Sequence, residues 1–161
     1  MKSMRLREAT GEDLTALAAI MRALPEWFTA EAVEEFSATA KGWHGLVAVE
    51  DDEVRVGFLL WQRQQEVCEI KWIAVARDRQ RRGIGRTLIA RLVELAQATG
   101  VARLEVATVA ATVEYEPYAR TRAFYQACGF KLESVEPHGW PDGTDKAVYV
   151  LDMQRGQETR G

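Results

Sequence analysis

Apolar and polar residues alternate from Met4 to Ala9, the two-residue period of a strand covered on one face. At Thr10 the period changes. Leu14, Leu17, Ala18, Met21 and Leu24 recur three and four apart, which lines one side of a helix; Thr10 with Asp13 can cap its start, and Pro25 stops it. A second helix is expected behind a Thr29 cap, from Ala30 to about Ala40. Pro25-Glu26-Trp27-Phe28 is then a connection that carries two large aromatics. Two strands, Leu46 to Glu50 and Val54 to Trp61, flank the polar turn Asp51-Asp52-Glu53 as a hairpin. Val67 to Ala76 reads as a longer strand. Cys68, Ile70, Trp72 and Ala74 share one face, and Val67, Glu69, Lys71, Ile73 and Val75 the other. A strand buried on both faces shows few charges, so Glu69 and Lys71 must meet something polar or solvent.

The clearest helix spans Gly83 to Thr99, with Ile84, Leu88, Leu92, Leu95 and Ala96 as its stripe and Gly100 as its terminator. Leu104 to Val109 is a strand. Pro117 opens and Gly129 stops a short helix, Tyr118 to Ala127. Phe130 to Glu136 and Lys146 to Met153 are the last strands. Consecutive strands favour antiparallel pairs, while the strand–helix–strand unit around Ile84 favours a parallel one. The expected fold is α/β (α+β): a mixed, mostly antiparallel sheet of about seven strands with helices on both faces. Residues 1–153 read as one domain, and Gln154 to Gly161 as a polar tail.

Composition narrows the partners. With 161 residues, 47% hydrophobic and 28% charged, the chain can bury roughly two-thirds of its unfolded surface. A net charge of −3 gives no support to nucleic-acid binding. The start lacks a signal-peptide stretch, and no apolar run approaches the ~20 residues of a membrane span, so a cytoplasmic protein without membrane contact is expected. Cys68 and Cys128 form no C-x-x-C, and His44 and His138 show no ligand spacing. Free thiols and no metal are expected.

The most informative stretch runs from Ile73 to Thr87. A strand ends, a basic loop with Gly83 and Gly85 follows, and a long helix begins. Unpaired N–H groups and the dipole at a helix start attract anions, glycine lets a phosphate approach the backbone, and Arg81, Arg82 and Arg86 add charged donors. The dinucleotide fingerprint fails because its third glycine position is Leu88, and the Walker pattern is absent.

Gln80-Arg81-Arg82-Gly83-Ile84-Gly85 resembles, position for position, the coenzyme A signature of the GNAT acetyltransferases. Ala123-Phe124-Tyr125-Gln126-Ala127-Cys128-Gly129-Phe130 resembles the family's late helix and turn, whose Tyr lies near the thioester. The resemblance extends over about Met4 to Met153. It implies acetyl-CoA as co-substrate, a V-shaped gap between the fourth and fifth strands, and coenzyme contacts from Ile73, Ala74, Val75 and from Gln80 through Arg86 and Thr87. Leu24-Pro25-Glu26-Trp27-Phe28 and Tyr118-Ala119-Arg120-Thr121-Arg122-Ala123-Phe124-Tyr125 resemble one group within the family. Many members carry Asn seven residues before the late Tyr; here Tyr118 stands there.

Acyl transfer to an amine must remove a proton from the ammonium and supply one to the leaving thiolate. The resemblance makes Tyr125 the candidate acid. Glu69 is the candidate base, in the place of the strand carboxylate that serves the histone-acetyltransferase branch; a salt-bridged strand carboxylate, an ammonium-binding residue or a water chain are the other readings. Glu26, Trp27, Phe28, Tyr115, Tyr118 and Trp140 are candidates for the acceptor, a primary amine of a small molecule or peptide. Homodimers are common in the family. A non-catalytic acyl-CoA sensor of the same fold is the alternative function.

Overall fold

The computed structural model describes residues 3–153, so the expected polar tail lies outside the described residues. The elements follow the expected order: β1 (Arg5–Glu8), α1 (Leu14–Arg22), α2 (Ala30–Thr39), β2 (His44–Glu50), β3 (Val54–Gln64), β4 (Val67–Val75), α3 (Ile84–Ala98), β5 (Arg103–Val109), α4 (Glu116–Ala127), β6 (Lys131–Glu136) and β7 (Lys146–Asp152). The strands form one seven-stranded mixed sheet in the order β1-β2-β3-β4-β5-β7-β6, with β5 parallel to β4 after the α3 crossover. The pairs β1–β2, β2–β3, β5–β7 and β6–β7 are antiparallel.

Contacts divide the chain into two compact bodies. The first runs through Gln62 and resumes over Ile70–Arg91; the second takes Arg63–Glu69 and the described chain from Leu92 onward. In the first, α1 and α2 cover one side of β2 and β3. Leu17, Met21, Phe36, Val47, Val49, Phe58 and Leu60 make one cluster with almost no exposure. Each such side chain contributes about 1.5–3 kcal/mol. The other side is covered by α3. A Cβ on Gly57 would lie 3.2 Å from Ile84 Cγ2 and 3.3 Å from the Ala74 carbonyl oxygen, so glycine here lets the helix start settle on the sheet. That contact fixes where α3 begins.

Asp13 is the polar centre of this body. The expected helix from Thr10 instead opens with a 3-10 turn, Gly11–Asp13, and α1 starts at Leu14. Asp13, fully buried, accepts from the Thr10 backbone N–H at 2.7 Å, from two Arg7 nitrogens at 2.8 and 2.9 Å, and from Arg55 at 2.7 Å. Hydrogen bonding from Arg7 holds its carboxyl well below the usual range, against the opposing effect of burial. One side chain thus ties β1, the start of α1 and β3. At the far end α1 stops at Arg22, ahead of Pro25, because the residue before a proline is poorly helical.

In the second body β5 alternates. Leu104, Val106 and Thr108 are buried, while Arg103, Glu105 and Ala107 are half-buried. Tyr149 of β7 is buried in ring contact with Tyr125 of α4, at 6.3 Å between centroids, so α4 covers that face. Edge strand β6 is exposed along its whole length, including Leu132 and Val135. Its charged residues and the bulge between Leu132 and Ser134 discourage another strand from pairing there.

Candidate active site

The basic turn is built by anchoring some of its arginines and leaving others outward. After β4 comes a 3-10 turn, Arg77–Arg79. Arg79 makes a two-point pair with buried Glu50, at 2.7 and 2.9 Å. Arg77 Nη2 donates to the Ala23 carbonyl at 2.9 Å and to Glu26 Oε1 at 2.7 Å. Gln80 Nε2 donates to the Val75 carbonyl at 3.0 Å and closes the loop on the end of β4. Arg81 and Gly83 then take left-handed conformations, φ 66° and 82°. The second suits glycine; the first costs a non-glycine residue roughly 1–2 kcal/mol. A Cβ on Gly83 would meet nothing within 4 Å, so its backbone sits in open space.

The Gly83 carbonyl accepts the Thr87 N–H at 2.9 Å and the Thr87 hydroxyl at 2.8 Å, which starts α3. The N–H groups of a first helical turn have no carbonyl one turn back to bond. Arg81, Arg82 and Arg86 around them are exposed, and among the described residues no carboxylate pairs with them. Open backbone, directed N–H groups and three uncompensated guanidiniums are what a pyrophosphate requires. Ile73 and Val75 are half-buried beside this turn in sequence; Ala74 points into the core and Ile84 onto Gly57, so these two offer backbone only.

The same body holds the aromatic connection. Trp27 and Phe28 are half-buried against the core, Phe28 lies 6.3 Å from Trp72, and Glu26 is paired with Arg77. Lys71 Nζ lies 5.2 Å from the centroid of the Trp43 ring, within cation–π reach.

The second body contains the other candidates. Tyr125 is 4% exposed and touches the rings of Phe124, Phe130 and Tyr149. Phe124 beside it is half-buried, so it is Tyr125 that fills the core. Burial raises the phenol's pKa, which makes it a weaker acid than an exposed tyrosine. Tyr115 and Tyr118 stack edge-on at 4.8 Å. Trp140 donates its indole N–H to the Thr108 carbonyl at 3.2 Å, with Lys146 5.2 Å from its ring.

Glu69 lines a cavity of about 240 Å³ together with Glu105, Glu133, Glu136 and Lys146. Glu105, Glu133, Glu136 and Lys146 were not singled out in the sequence. The alternation of Arg103, Glu105 and Ala107 against Leu104, Val106 and Thr108 was the available signal for an open polar face. Cys68 is buried and Cys128 half-buried, and neither is in a disulfide.

The profile of the acetyltransferase (GNAT) family matches residues 14–130, a span that crosses both bodies. The chain belongs to the GNAT acetyltransferase family. A GNAT-family protein from Desulfovibrio desulfuricans superposes with a TM-score of 0.79 at 28% identity, covering 94% of this chain and 100% of that one. The ribosomal-protein-S18-alanine N-acetyltransferase of Escherichia coli shares the fold at TM-score 0.76 and 22% identity, over 94% of this chain and 95% of that one. A Salmonella typhimurium member solved with acetyl-CoA shares it at TM-score 0.68 and 18% identity, over 94% and 95%. In sequence, the uncharacterized N-acetyltransferase YvbK of Bacillus subtilis is 24% identical over 103 residues, 64% of this chain and 63% of YvbK. This match therefore spans less than two-thirds of that relative.

Proposed function

We propose that this GNAT member is an acetyl-CoA-dependent N-acetyltransferase acting on a primary amine of a small molecule or peptide. The observation that carries the reading is the start of α3. There Arg77 and Arg79 are engaged by Glu26 and Glu50, while Arg81, Arg82 and Arg86 surround open first-turn N–H groups with no carboxylate partner among the described residues. These residues fit the coenzyme's pyrophosphate, with Gly83 giving it access to the backbone and Gln80 acting indirectly, by holding the loop. The backbone of residues 73–75 takes the pantetheine arm.

The acceptor is an ammonium in solution, and the carboxylate-lined cavity at Glu69 favours a cation. The amine loses a proton, to Glu69 or to water beyond it, and its nitrogen attacks the thioester carbonyl. The carbon–nitrogen bond forms, the carbon–sulfur bond breaks, Tyr125 gives its proton to the departing thiolate, and the second proton shed by the nitrogen restores the phenol. A phenol keeps its proton at neutral pH, as a donor must, and burial makes this one a weaker acid than an exposed tyrosine. Direct attack needs no covalent acyl-enzyme. The protein works in the cytoplasm.

Thiol release from acetyl-CoA against a panel of amines tests this. Release that requires one class of amine is expected. Binding of coenzyme A with no release for any amine or acyl chain would replace the enzyme by an acyl-CoA sensor.

A further inference from the structure

The basic loop is tied down at two points of different kinds. Arg79 is largely buried, at 16% side-chain exposure, and forks onto Glu50, which is 7% exposed. That pair is a fixed foundation. Arg77 is half in solvent, at 52%, and Glu26 is 37% exposed. Its Nη2 reaches into the connection between α1 and α2, bonding the Ala23 carbonyl at the end of α1 and the Glu26 carboxylate two residues after Leu24. The N–H groups of Trp27 and Phe28 bond the Leu24 carbonyl, and both side chains pack against the core. Arg77 adds a cross-link between the loop that leads into the basic turn and the segment that carries Trp27 and Phe28.

We infer that Arg77 is a positioning residue that couples occupancy of the phosphate turn to the order of residues 23–29. The inference rests on the coenzyme reading above. An anion seated at residues 81–86 restricts the loop, including the left-handed Arg81. The restricted loop holds the Arg77 guanidinium in place, and its two bonds restrict residues 23–26. Ordering by one ligand is then partly done when the other arrives, so the two bind with positive cooperativity.

The probe is coenzyme A. Its affinity is measured by calorimetry, and amide exchange of the peptide over 23–29 is followed by mass spectrometry with and without it, in wild type, Arg77→Ala and Arg77→Lys. Circular dichroism melting checks that each variant folds. In wild type, coenzyme A should slow exchange in this peptide at least fivefold. In Arg77→Ala that slowing should vanish while coenzyme affinity stays within threefold; Arg77→Lys should retain part of it. A merely structural role would speed exchange in both states and leave the ligand-induced difference intact, which overturns the coupling. So does wild type that binds coenzyme A with no slowing at 23–29. Wild type that fails to bind coenzyme A overturns the coenzyme reading itself.

Discussion

In the first body the charged groups near the core are tied to one another. Asp13 gathers Arg7 and Arg55, and Glu50 holds Arg79 at two points. In the second, charge lies along an open sheet face, where Glu69, Glu105, Glu133 and Glu136 share a cavity with Lys146, and Arg103 reaches Glu133 and Asp152 at the surface. Both bodies use similar residues. They differ in water: where it is excluded, an ion pair must be complete, and losing one member leaves a buried charge. Where it is present, a pair contributes little and its members remain available to a ligand.

The strongest way to break this contrast is Asp13→Asn. Removing the charge that two guanidiniums face should cost about 3 kcal/mol of stability at neutral pH, read by urea unfolding. Because the folded-state pKa of Asp13 is depressed, its contribution is present above the unfolded value of about 4 and declines as pH falls below it. The gap between variant and wild type should therefore narrow in acid. A constant gap would mean that shape, not charge, is what Asp13 supplies.

Next in size is Tyr125→Phe. It removes one hydroxyl from an aromatic cluster and preserves the packing. Turnover in the thiol-release assay should fall by about 10²-fold, at the low end for a proton donor, with coenzyme affinity unchanged. Equal turnover would return Tyr125 to a purely structural role.

Glu69→Gln sharpens the second half of the contrast. Loss of one cavity carboxylate should lower kcat/KM for a cationic amine about tenfold and alter the pH–rate profile. An unchanged profile at reduced kcat/KM would assign Glu69 to holding the ammonium and proton removal to water.

Smallest is Arg103→Ala, which should change stability by no more than about 0.5 kcal/mol, since its partners Glu133 and Asp152 are 42% and 70% exposed. A loss as large as that of Asp13→Asn would erase the distinction.

Period and punctuation made most of the fold legible. Thr29 does cap α2, accepting the Ala32 N–H at 3.1 Å, and Pro117 does open α4. The basic turn was legible because Arg81, Arg82, Gly83 and Arg86 fall within one short stretch of sequence. What stayed hidden depends on distant partners. Nothing local separates Arg77 and Arg79 from Arg81, although the first two are bound to carboxylates far away in the chain. Asp13 looked like a capping residue, which it is, but its Arg55 partner comes from β3. The cavity residues come from β4, β5, β6 and β7, so only the pairing of strands brings them together. Phe124 and Tyr125 are adjacent, and a change of one position on the helix decides which is buried.

The central claim is that the start of α3 binds the coenzyme. Calorimetric titration of coenzyme A into wild type and Gly83→Ala tests it most directly. Position 83 has room for a methyl but a φ of 82° that alanine resists. Wild type should bind, and Gly83→Ala should bind at least tenfold more weakly while remaining folded. Absence of binding by wild type, or equal affinity in the two proteins, would contradict the assignment.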